Sequence, residues 1–302
     1  TRSCHVTGVQ TCALPIFKSK QVECERRMKQ RAATKLAITI AGWLVGLFFF
    51  LPYLYMILTA LKPKGEIQKI PIGYLPSEWH WKNFKEVWQV IPLAHYLKSS
   101  FIISIGATLI VLLLSIPAAY YVARNQFKGR NIFLLIVLAT QMFPATSVVI
   151  GIFREIVKFK LVDTYLALIL VYAAFSMAFS IWILSSFFAS IPKEIEEAAW
   201  IDGASRVGTL IKVILPLALP GIVTAFIFSF IAAWNEFVIA LTLTSSPQHE
   251  PLTVGLTSLI GQYQVQWNYM FTGSLIGIIP VVILFASIEK YLVGGLTAGS
   301  VK

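Results

Sequence analysis

Six apolar runs, each near the roughly twenty residues needed to cross a bilayer, divide this chain. They span residues 36–61, 99–122, 132–153, 164–188, 217–243 and 271–293. Hydrocarbon offers the backbone no water, so each run must close its own hydrogen bonds as a helix. The expected fold is therefore an all-α integral membrane domain of six transmembrane helices over residues 36–293. The totals agree, with 57% hydrophobic and 13% charged residues, about half the charged share of a soluble domain. A net charge of +11 in a soluble protein would raise the question of nucleic acid. Here it follows from Lys and Arg gathering beside membrane spans, and no nucleic-acid partner is expected.

The same bias sets the orientation. Lys18, Lys20, Arg26, Arg27, Lys29, Arg31 and Lys35 precede the first run, and Arg124, Lys128 and Arg130 separate the second from the third. Residues 244–270, between the fifth and sixth runs, hold no Lys or Arg. Both termini are expected in the cytoplasm. The loop 62–98 then lies outside, where Trp79, Trp81, Phe84 and Trp88 suit the headgroup level. Cys4, Cys12 and Cys24 all precede the first run and imply no disulfide framework. His5, His80, His95 and His249 are scattered without ligand spacing, so no metal site is expected. Residues 8–16, GVQTCALPI, match the in-frame translation of a sequencing adapter, and residues 1–16 are expected to be extraneous. Residues 17–35 read as a basic cytoplasmic segment.

Between the fourth and fifth runs lies a polar, helix-forming island over residues 190–216. It cannot lie in hydrocarbon and must sit in water beside the bilayer. Ser190 is placed to cap a helix opened by Pro192. Glu194, Glu196 and Glu197 follow where the helix dipole favours carboxylates. Ala198 and Ala199 leave one face shallow, and Gly203 ends or bends the helix. Val207, Leu210, Ile211 and Ile214 recur at helical spacing and form a stripe expected to face membrane or neighbouring spans. Pro216 and Pro220 break the helix before the fifth run. Taken alone, the island is either an ordinary amphipathic connector or a peg offered to a soluble partner.

The spacing of Glu197-Ala198-Ala199, Gly203, Val213 and Leu215-Pro216 resembles the EAA loop of ABC-importer permeases. Gln141-Met142-Phe143-Pro144, Trp234-Asn235-Glu236-Phe237 and the tail Gly294-Gly295-Leu296-Thr297-Ala298-Gly299-Ser300-Val301-Lys302 resemble the carbohydrate-type branch of that family, the smaller permease subunit of maltose-type importers in particular. The resemblance implies the MetI-like permease fold, with a coupling helix that docks on a cytoplasmic ATPase subunit dimer. Glu196, Glu197, Ala198, Ala199, Gly203, Leu215 and Pro216 then carry ATPase coupling, and Gly295, Thr297 and Gly299 in the tail 294–302 contact the ATPase pair. The further partners implied are a second, non-identical permease subunit, an extracytoplasmic solute-binding protein reached by loop 244–270, a carbohydrate substrate and membrane lipid. The membrane implied is the inner membrane of a bacterial or archaeal cell.

Polar groups inside spans face cavities or bond to other helices. Gln141, Tyr172, Ser176, Asn235 and Glu236 are the candidates for a substrate path, with helix–helix bonding as the competing role. Ser180 continues the face of Tyr172 and Ser176. Gly273 and Gly277 form a small-xxx-small pair that implies close packing. No G-x-x-x-x-G-K followed by Ser or Thr occurs. The chain is expected to be no enzyme and to hold no cofactor, with ATP and Mg bound by the partner. Two alternatives stay open. One is an ABC permease for a polyamine, phosphate or amino acid. The other is an ion-coupled transporter, which would place several charges at mid-membrane, where only Glu236 comes close.

Overall fold

The structure, a computed structural model, describes residues 15–71, 73–125 and 127–298, with side chains between 34 and 289. Residues 1–14, in the leader expected to be extraneous, and Gly299, expected in the ATPase contact, lie outside the described residues. So do the side chains of the tail around Gly295 and Thr297. The chain divides into two units, residues 1–56 and 57–302.

The first unit is the greater part of α1 (Pro15–Ala60). The apolar part of this helix, Thr34–Ala60, is long enough to cross a membrane. Large apolar side chains from Leu36 to Tyr55 are exposed along it, as suits lipid contact.

The second unit is a helical bundle. Helix α2 (Asn83–Val90) is short and amphipathic. Then come α3 (Leu93–Arg124), α4 (Arg130–Ala139) with a 3-10 turn at Thr140–Met142, α5 (Ala145–Lys158) and α6 (Tyr165–Ser190). Helix α7 (Glu194–Ile201) leads to α8 (Arg206–Thr209), a π-turn at Leu210–Ile214 and α9 (Leu215–Leu217). The chain continues through α10 (Leu219–Asn235), α11 (Val238–Leu243), α12 (Leu252–Gly255) and α13 (Trp267–Ala298). Helix α13 runs past the expected end of the sixth run at residue 293.

Four helices can each span a membrane, and two bent pairs bring the total to six. The third expected run is not one straight helix. The segments Arg130–Met142 and Ala145–Lys158 meet at 94°. Pro144 has no N–H to give, and its ring pushes Phe143 out of the helical region to ψ 115°. At the start of the fifth run the helix bends by 78° between Arg206–Leu217 and Leu219–Asn235, at the proline pair that the sequence marks. It is also broken again, with helix α10 ending at Asn235 and α11 restarting at Val238. No Pro or Gly marks that second break.

Three apolar clusters hold the bundle. Ile103, Leu168, Tyr172, Ile239 and Leu243 fill the middle. Ala119, Leu184, Phe188, Ile214 and Ala225 pack beside α7. Val87, Leu93, Tyr96, Leu252 and Tyr269 close the far end. Gly273 and Gly277 do permit close packing, but against the loop between the fifth and sixth spans. A Cβ there would lie 2.6 Å from Leu256 Cδ2 and 2.3 Å from Leu252 Cδ2. Between spans four and five the close approach is at Gly221, where a Cβ would meet Phe187 Cγ at 2.4 Å and Cβ at 2.7 Å. The Phe187 Cβ cannot swing away, so Gly221→Ala should cost about 1–3 kcal/mol through overpacking. Thermal unfolding of the purified protein would check this, and Phe187→Ala in the same chain should recover part of the loss.

Candidate functional site

Helix α7 is held at the end of the bundle where α3 and α6 finish. Ser190 does not cap it. Helix α6 runs through Ser190, whose hydroxyl donates back to the Phe187 carbonyl at 2.7 Å, and Lys193 takes the N-cap position without a side-chain bond. The next helix, α8, is capped by a side chain, with Ser205 Oγ accepting from the Gly208 N–H at 3.1 Å. Gly203 sits between the two at φ +84°, a left-handed turn that other residues adopt under strain.

The three glutamates of α7 part company. Glu194 and Glu197 are exposed, with Ala198 beside Glu197. Glu196 points inward and is 3% exposed. It accepts from Arg124 Nε at 2.5 Å and from Tyr120 Oη at 2.9 Å. Arg124 Nη1 also donates to the Ile191 carbonyl at 2.9 Å. The outer side of α7 carries Trp200 and Ile201, the latter 86% exposed. Ala199 and Leu215 are half-buried, and Pro216 is exposed.

The expected stripe on the second helix divides. Ile214 is fully buried and Leu210 packs against it, while Val207 and Ile211 are exposed. The π-turn at Leu210–Ile214 widens the helix there, so α-helical spacing no longer puts these side chains on one side.

At mid-bundle a cavity of 150 Å³ is lined by Gln141, Phe175, Ser176, Phe179, Phe228 and Ser229. It brings together two of the five path candidates, Gln141 and Ser176. Tyr172 and Glu236 are engaged with each other. The Tyr172 hydroxyl donates to Glu236 Oε2 at 2.8 Å. The same carboxylate accepts from the N–H groups of Ile239 at 2.8 Å and Ala240 at 3.1 Å. Glu236 thus caps α11 and patches the second break in the fifth span. Ser180 also bonds across helices, 2.9 Å from Ser229 Oγ. Asn235, at the end of α10, is exposed.

At the far end, the loop 244–266 is anchored by a residue the sequence reading passed over. Asp163 Oδ1 accepts from the N–H groups of Ser245 at 3.0 Å and Ser246 at 3.1 Å. Its Oδ2 lies 3.6 Å from His249 Nδ1, and Tyr165 packs edge-on against that ring. Partial burial pushes the Asp163 carboxyl up, but the bonds from Ser246 and Ser245 and the nearby His249 outweigh it and hold it below its usual value. Burial and the Asp163 charge push neighbouring Glu250 up. Ser245, Ser246 and His249 therefore anchor this loop rather than reach outward from it. The reach lies further on, where Ile260 and Val265 pair and leave Gln262, Tyr263 and Gln264 exposed at the tip. Among the described residues no group of three or more His, Cys, Asp or Glu converges on a metal position.

Residues 112–296 match the family described as binding-protein-dependent transport system inner membrane component. The sulfoquinovosyl glycerol transport system permease protein SmoH of Agrobacterium fabrum is 35% identical over 257 residues, covering 85% of this chain and 89% of that protein. The trehalose/maltose transport system permease protein MalG of Thermococcus litoralis is 36% identical over 279 residues, 91% of this chain and 99% of that protein. Among solved structures, a chain of a bacterial ABC transporter involved in import of the acidic polysaccharide alginate superposes with a TM-score of 0.71. It has 23% sequence identity and covers 85% of this chain and 96% of that one. At that identity the superposition speaks for the fold.

Two outcomes follow from this geometry. Glu236→Ala orphans two backbone N–H groups in the bundle and should destabilise by roughly 1–3 kcal/mol, whereas Ser176→Ala should leave thermal unfolding nearly unchanged. A carboxyl held below its unfolded value stabilises in full above the ordinary carboxylate range and loses that contribution as pH falls through the lowered value. Hydrogen-exchange protection of the Ser245 and Ser246 amides should fall over that acid window, and Asp163→Asn should abolish the dependence.

Proposed function

The chain belongs to the binding-protein-dependent transport system inner membrane components, and we propose that it is the permease subunit of an ATP-driven importer for a sugar or oligosaccharide. The cargo follows from relatives that transport sulfoquinovosyl glycerol and trehalose or maltose. The observation that carries the mechanism is α7. Its exposed side offers Glu197, Ala198, Trp200 and Ile201, a large apolar area on a water-facing helix that calls for a partner. Small side chains let such a helix seat closely, and a carboxylate can meet basic groups opposite.

The partner in this proposal is a cytoplasmic ATPase dimer, which binds ATP and Mg. Glu197, Ala198, Ala199 and Gly203 meet it, and the turn through Leu215 and Pro216 connects them to the fifth span. The tail with Gly295, Thr297 and Gly299 reaches the same partner. This orientation puts both termini in the cytoplasm and the chain in an inner membrane. Closure of the ATPase pair moves the docked helices and switches the spans between inward- and outward-open states. A second permease subunit completes the path. The cavity bordered by Gln141, Ser176, Phe175 and Phe179 supports a route for a sugar, whose hydroxyls suit the amide and hydroxyl and whose C–H faces suit the rings. On the outer side, the tip at Gln262, Tyr263 and Gln264 supports contact with the binding protein.

The proposal is tested in proteoliposomes holding the chain with its second permease, ATPase and binding protein. Sugar uptake should require ATP and the binding protein and should survive an uncoupler; collapse with the ion gradient would overturn it. Gly203→Val, strained at φ +84° by on the order of 1–3 kcal/mol, should lower uptake without preventing membrane insertion.

A further inference from the structure

Resting on that reading, we infer that Arg124, Tyr120 and Glu196 form a joint that makes the end of α3 move with α7. The chain alone gives α7 a stiff attachment on one side only. Toward α6 the link is three residues, 191–193. Toward α10 it passes Gly203 in a left-handed turn, the π-turn at Leu210–Ile214 and the 78° bend before Leu219. Each of these is a place where a pushed helix can give. Helix α3 has no short link to α7, since Glu196 lies 72 positions after Arg124 along the chain.

The side chains supply what the backbone lacks. One guanidinium bonds the Glu196 carboxylate through Nε and the Ile191 carbonyl, at the end of α6, through Nη1. Tyr120, one turn earlier on α3, takes the second carboxylate oxygen at 2.9 Å and packs its ring edge-on against Phe188 of α6 at 5.8 Å. Three helix ends thus meet on one buried ion pair, with side chains only 10% and 4% exposed. A carboxylate this buried tolerates little separation from its cation, because losing the partner leaves an uncompensated charge among buried groups. The joint therefore resists stretching, as a lever contact must. Glu197, the next residue, is exposed and free to face the partner. Adjacent carboxylates on one short helix take opposite duties, one gripping the bundle and one facing outward. Glu196, Arg124 and Tyr120 act here as positioning residues.

The test uses the reconstituted complex and reads solute transported per ATP hydrolysed. Glu196→Gln is expected to lower that ratio about tenfold, the scale of a typical coupling free energy, while ATP hydrolysis persists. Tyr120→Phe, which removes one hydrogen bond and no charge, should lower it in the same direction by roughly twofold to fivefold. This milder variant keeps the test decisive if Glu196→Gln fails to assemble. Crosslinking from Ala198→Cys to the ATPase reports docking separately. Intact crosslinking with a lowered ratio supports the joint. Intact crosslinking with an unchanged ratio in Tyr120→Phe and any assembled Glu196→Gln overturns it, as does an equal fall of uptake and hydrolysis. Absence of that crosslink in the otherwise wild-type complex would instead remove the docking assignment on which the joint rests.

Discussion

A span can leave the helical path only where something closes the hydrogen bonds that the break opens, and much of the arrangement of this bundle follows from how that is met. At the second break of the fifth span, Glu236 supplies the closure by accepting from two backbone N–H groups of the next helix. A carboxylate in such a place is costly. It is kept by two amides and by Tyr172 from the neighbouring span. At the first break, Ala218 donates to the Ile214 carbonyl and its own carbonyl takes the Ile222 N–H. At both breaks, then, part of the opened backbone is closed from within the chain.

The six spans were legible because apolar length is a direct physical requirement of the bilayer. The bend at Pro144 was legible in kind, since a proline removes a donor, but nothing in the sequence sets 94°. The break after Asn235 was not legible, because Glu236 makes it by capping, and a glutamate in an apolar run reads equally well as a path residue. Tyr172 and Glu236 lie 64 residues apart, so their pairing leaves no local trace. Glu196 and Glu197 are alike in sequence; which one turns inward depends on where α3 lies. Arg124 carried a visible signal only as one of the charges that orient the chain. Gly273 and Gly277 announced close packing but not its partner, which is a loop rather than a span.

The two ends of the bundle solve a common problem differently. Beside α7 an ion pair buried among three helices fixes the geometry. At the far end the fixing is done by backbone amides on Asp163, and the loop beyond them runs out to an exposed tip around Tyr263. Both leave an unpaired surface just past a rigid anchor. This arrangement limits the conformational entropy lost when a partner binds.

The π-turn at Leu210–Ile214 has a consequence of its own. A turn holding one more residue than an α-turn advances every later side chain by about 100° around the axis relative to an uninterrupted helix. The azimuth at which α8 meets the fifth span is therefore encoded by a single surplus residue. Removing one residue from this stretch would rephase the peg against the span behind it by more than a quarter revolution, while leaving every residue type on its exposed side unchanged.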